Sequence, residues 1–129
     1  MRLSRILKGD SKRKSEGIDC ISDSKLLKDI AKTDPDYRIR LKAVMRIHDD
    51  DFLKGIAYDD SNRMVKVAAV DNITNPRYVE EIAKNHPNCR VRIAAVEKIE
   101  DRYVLEHIAQ SDSNRTVKKT ALEKIKKIM

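Results

Sequence analysis

One spacing constrains this chain more than any other feature: Ile30-Ala31, Ile56-Ala57, Ile82-Ala83 and Ile108-Ala109 recur every 26 residues. Ile47, Ile73, Ile99 and Ile125 keep the same step, with no insertion or deletion between copies. Between the two series lie Ile39, Val65, Val91 and Val117, each followed by a base: Arg40, Lys66, Arg92 and Lys118. Ala43, Ala69, Ala95 and Ala121 come next, then Val44, Val70, Val96 and Leu122. A repeat of this length is one supersecondary unit, which cannot cover its own apolar face and must pack against neighbouring copies.

Each copy reads as two short helices. Asp23, Asp49, Asn75 and Asp101 stand where a first helix needs a side-chain oxygen to accept its free backbone N–H groups. Pro76 follows its cap at the first helical position, where the missing N–H is not needed. Asp36, Asn62, Asn88 and Asn114 repeat the capping pattern for a second helix that runs on to the closing isoleucine. With Ile39 at the origin and about 100° per residue, Ala43, Ile47, Val44 and Leu41 fall at roughly 40°, 80°, 140° and 200°. That stripe is wider than a surface helix needs and suits a helix wedged between its partner and the next copy. In the last copy Lys119 takes the place of Leu41, Val67 and Ile93, and the next position becomes Thr120, as expected of an outer face. At the other end, residues 1–22 keep Ile18 and Ile21 but have Arg13 and Ser15 at apolar positions, and read as a degenerate capping repeat. Four full repeats are expected at 23–48, 49–74, 75–100 and 101–129, all in one domain.

Composition agrees with helices. Gly and Pro number three each, which disfavours a turn-rich all-β fold. Aromatics are 4% and Trp is absent, so aliphatic layers can be buried but an aromatic-lined ligand cavity is hard to build. The net charge of +7 (28 bases against 21 acids) favours acidic partners. Cys20 and Cys89 lie 69 positions apart without a C-x-x-C, and His48, His86 and His107 are scattered, so neither a disulfide framework nor a zinc site is expected. No run of about 18 apolar residues predicts a membrane span. The basic start, Met1-Arg2-Leu3-Ser4-Arg5, is followed by no apolar core of a secretory signal, and a cytoplasmic, reducing location is expected.

The run Asp34-Pro35-Asp36-Tyr37-Arg38-Ile39-Arg40-Leu41-Lys42-Ala43-Val44 resembles the D-x-D-x-x-V-R-x-A-A pattern of short HEAT-like repeats, relatives of leucine-rich-variant repeats. Asn88-Cys89-Arg90-Val91-Arg92-Ile93-Ala94-Ala95-Val96 is a second good copy. The resemblance implies an all-α fold, a right-handed α-solenoid of two-helix repeats, and a protein-binding scaffold more often than a DNA-binding protein or an enzyme. It also implies that the aspartate at Asp34, Asp60 and Asp112 pairs with the arginine of the V-R motif in a ladder. His86 stands at that aspartate's place in the third copy, so a weaker or pH-sensitive rung is expected beside Arg92.

Arg40, Lys66, Arg92 and Lys118 invite a nucleic-acid interpretation, but Arg40 falls inside the apolar stripe. The series is therefore expected to be a structural ladder with packed stems and heads satisfied by loop carboxylates. The outward positions are Arg38, Lys42, Met45 and Arg46 in the first copy, and Met64, Ala68, Asp71 and Asn72 in the second. The third offers Arg90, Ala94, Glu97 and Lys98, and the fourth Thr116, Thr120, Glu123 and Lys124. Arg38, Lys42, Arg46, Arg90 and Lys98 are the expected contacts for a protein or peptide with acidic segments. Nucleic acid is the alternative, with basic clusters at Lys12-Arg13-Lys14 and at Lys124, Lys126 and Lys127, but this face lacks continuous charge and stacking aromatics. No G-x-S-x-G turn, phosphate loop or H-E-x-x-H motif is present, and no enzyme activity or cofactor is expected. Were the chain instead an accessory subunit or a metal-dependent enzyme, the place to look is His48 with Asp49-Asp50-Asp51. That cluster also suits a helix N-terminus, which favours acidic side chains. A monomer or weak homo-oligomer is expected, with Ile128 and Met129 leaving apolar residues at the C-terminus.

Overall fold

The computed structural model describes residues 16–128, and among them every regular element is a helix. In chain order these are α1 (Ser24–Thr33), α2 (Tyr37–Val44), α3 (Asp50–Asp59), α4 (Arg63–Asn72), α5 (Pro76–Asn85), α6 (Cys89–Val96), α7 (Arg102–Ser111) and α8 (Arg115–Ile128). Residues 16–19 are also helical. Most of the expected capping repeat, including Lys12-Arg13-Lys14, lies outside the described residues, as does Met129. No described helix is long and apolar enough to cross a membrane.

The helices start where the capping side chains allow. Asp23, Asp49, Asn75 and Asp101 each accept a backbone N–H from the first turn of α1, α3, α5 and α7. Asp36, Asn62, Asn88 and Asn114 do the same for α2, α4, α6 and α8. The turn between paired helices is a second use of the same chemistry. Asp34, Asp60, His86 and Asp112 end the first helices in extended conformation, two of them under a following proline that disfavours the helical region. Each then accepts the N–H two residues on: Asp36 at 2.9 Å, Asn62 at 2.8 Å, Asn88 at 3.0 Å and Asn114 at 2.8 Å. His86 does this through Nδ1, which imitates an aspartate oxygen and leaves the ring proton on Nε2.

By its contacts the chain forms two compact units, one extending to Asn72 and the other beginning at Ile73. In the first unit α1 pairs with α2, α3 pairs with α4, and α2 packs against α4. Leu27, Ile30, Ile39, Val44, Leu53, Ile56, Val65 and Val70 are buried there, together with Ala43 and Ala69. In the second unit α5 pairs with α6, α7 pairs with α8, and α6 packs against α8. Val79, Ile82, Val91, Val96, Leu105, Ile108 and Val117 are buried there.

Two of the four second helices, α2 and α6, are clearly shorter than the apolar pattern predicts, whereas α8 runs past Ile125. Both α2 and α6 stop three residues before Ile47 and Ile99. The isoleucines are buried instead by a tight turn, in which Ile47 N–H reaches Val44 O at 3.0 Å and Ile99 N–H reaches Val96 O at 3.1 Å.

Candidate interaction surface

Two of the four ladder bases form closely matched ion pairs. Arg40 donates from Nε and Nη2 to the two oxygens of Asp60 at 3.0 and 3.2 Å, and from Nη1 to the carbonyl of Asp34 at 2.7 Å. Arg92 repeats this with Asp112 at 3.0 and 3.2 Å, and with the His86 carbonyl at 2.8 Å. Side-chain exposure is 11% for both arginines and 4% and 6% for Asp60 and Asp112, so these pairs sit largely out of water. The carboxylate thus comes from the following copy, 20 residues on, and the arginine's own copy supplies only backbone carbonyls, one for Arg40 and two for Arg92. This corrects the expectation of a weak rung at Arg92: His86 was never its carboxylate partner, and Arg92 is fully engaged. Lys66 and Lys118 make no ion pair among the described residues and are half-buried.

A second set of side chains reaches the other way, toward the preceding copy. Arg46 donates from Nη1 to the carbonyl of Ile18. Asn72 donates from Nδ2 to the carbonyls of Val44 and Met45, both at 3.0 Å, and of Ile47 at 3.3 Å. Lys98 donates to the carbonyl of Ile73, and Lys124 reaches the Glu100 carboxylate at 3.0 Å. These four residues occupy one register, 26 apart. A helix end leaves its last carbonyls without partners, and a cation or amide from the next copy satisfies them. On an isolated helical wheel this register points outward; in the fold it lies against the neighbour. For the same reason Ala94, which the wheel also turns outward, is buried.

The five expected contact residues therefore divide. Arg46 and Lys98 are engaged with backbone carbonyls, and Lys42 pairs with Asp19 at 3.0 Å. Arg38 and Arg90 project into solvent. Arg38 is 64% exposed at its side chain and lies along Asp36, its own helix cap, at 3.1 to 3.2 Å. The hydrogen bond and the charge of Asp36 raise the pKa of the Arg38 guanidinium above its ordinary value. Two exposed methionines accompany it: Met45, the residue that caps the end of α2, is 60% exposed, and Met64 on α4 is 53% exposed. Met64 holds on α4 the register that Arg38 holds on α2, and the two helices pack side by side.

The acidic cluster has a different use. Asp49 caps α3 by accepting the Phe52 N–H at 3.2 Å, and its other oxygen takes the Lys28 ammonium at 2.7 Å. Lys28 also lies 5.7 Å from the centre of the Phe52 ring, tying α1 to α3. Among the described residues no three His, Cys, Asp or Glu side chains converge as a metal-binding group. Cys20 is exposed and Cys89 half-buried, and both are free thiols. Open grooves of ≈ 420 Å³ and ≈ 430 Å³ lie beside the two rungs, the first near Phe52 and Gly55 and the second near His86 and His107.

Compared with known proteins, the chain matches no family model, no curated protein and no solved structure.

Proposed function

We propose that the chain is a right-handed α-solenoid of HEAT-like repeats that serves as a non-catalytic scaffold. It binds a protein or peptide with acidic segments through the solvent side of its second helices. Arg38, Met45 and Met64 carry this proposal: a strongly exposed guanidinium and two strongly exposed thioethers on adjacent helices. Methionine adapts its shape to a partner's apolar surface, and arginine is a common anchor at interfaces. The rigid rungs behind them hold α2 and α4 in place, so little ordering is left to offset on binding. Nucleic acid is the weaker alternative, since Arg40 and Arg92 have their donors occupied within the fold.

The test is affinity capture from nuclease-treated and untreated lysate with the unaltered chain and with Arg38→Glu combined with Met45→Asp and Met64→Asp. All three positions are exposed, so circular dichroism should show unchanged helicity. A discrete protein captured by the first bait and lost with the second supports the proposal. Equal capture by both refutes this surface, and nucleic acid as the sole nuclease-sensitive product refutes the scaffold.

A further inference from the structure

We infer that the outer face of α8 is a docking site for an acidic amphipathic helix of another protein. The surface shares no residue with the α2–α4 face proposed above. It is defined by comparing the same register in successive copies. Val44, Val70 and Val96 are fully buried, whereas Leu122, at the equivalent position, is 51% exposed. Val96 lies on α6, which packs against α8; α8 itself packs on α6 and α7 and leaves Leu122 facing solvent.

The neighbours of Leu122 state what should cover it. At helical spacings around it stand Arg115, Lys118, Lys119, Ile125 and Lys126, four bases and no acid. Leu41 and Ile93 hold the place of Lys119 in earlier copies, and His48 and Glu100 hold that of Lys126, so the basic ring belongs to this copy alone among the three. At the centre of this ring Leu122 is exposed and Ile125 half-buried. An occupant with an apolar stripe flanked by carboxylates satisfies both the aliphatic centre and the basic ring. A second copy docking α8 against α8 would oppose the same four bases to themselves.

The probe is a fluorescein-labelled, helix-forming peptide with leucines on one face and aspartate and glutamate elsewhere, read by fluorescence polarisation against the full chain. Two controls are a peptide with lysine in place of the acids and an acidic peptide with the same leucines scattered around the helix. Only the first peptide should bind. Leu122→Asp, Leu122→Ala and the pair Lys119→Glu with Lys126→Glu should each weaken it about tenfold or more. The triple variant at Arg38, Met45 and Met64 should leave it unchanged, which separates this site from the proposed scaffold surface. Equal binding of the scattered-leucine peptide reduces the face to charge attraction and overturns the inference, as does indifference to both Leu122 variants. A concentration-dependent dimer in sedimentation equilibrium, abolished by Leu122→Asp, would make a second copy the occupant and equally overturn it.

Discussion

Asp60 and Asp112 each hold two groups at once: the N–H that shapes the turn into the second helix, and the guanidinium of the copy before. Removing either carboxylate leaves an arginine charge partly buried without compensation. Asp112→Ala should therefore destabilise the protein by about 3–5 kcal/mol in urea titrations, far more than loss of an exposed pair. Arg92→Lys retains the charge but not the two-pronged fit, and should fall between that variant and the unaltered protein. Asp49 offers a test by pH. The hydrogen bond from Lys28, and next that from the Phe52 N–H, hold its carboxyl below the ordinary 3.8. As pH falls, the unfolded chain takes up this proton before the native one does. The stabilisation is complete above pH 3.8 and disappears as pH drops through the lower native value. The gap in urea midpoint between the unaltered protein and Asp49→Asn should accordingly be constant from neutral pH to about pH 5 and close below pH 3.8.

At the level of helices, caps and core were readable from the residues themselves, because both depend on local chemistry. A side-chain oxygen before an apolar run caps a helix wherever the run goes, and Ile39 or Val65 is buried whichever neighbour covers it. What the sequence hid were relations between copies. The 20-residue spacing from Arg40 to Asp60 and from Arg92 to Asp112 was visible, but a wheel drawn for one helix has no neighbour on it. The same blindness placed Arg46 and Lys98 on the binding face when both are occupied with carbonyls. Asn72→Ala tests that role: three carbonyls lose their donor, and a destabilisation of about 1–3 kcal/mol is expected, with faster amide exchange at the C-terminal end of α2. Gly55 gives the opposite sign. It sits within α3, and a β-carbon there meets nothing within 4 Å. Gly55→Ala should raise stability by about 0.5–1 kcal/mol, since only backbone freedom in the unfolded chain is lost.

For the molecule as a whole, the net charge of +7 makes association with an acidic partner sensitive to salt. On the proposed scaffold function, stopped-flow association rates should fall by about tenfold or more between low salt and about 0.5 M, while dissociation rates change far less. The two directions of contact between copies have another consequence. In the first unit Arg40 reaches forward to Asp60 and Asn72 reaches back to Val44; in the second, Arg92 reaches forward to Asp112 and Lys124 reaches back to Glu100. Within each unit the junction is thus made by one side chain from either side, but the halves alternate: Arg40 and Arg92 reach forward, whereas Lys66 and Lys118 make no ion pair among the described residues. An in-frame duplication of two successive 26-residue stretches, the one bearing the arginine and the one bearing its aspartate, brings a whole rung with it. Heredity would therefore add to such a gene, or trim it, more readily by pairs of copies than by single ones.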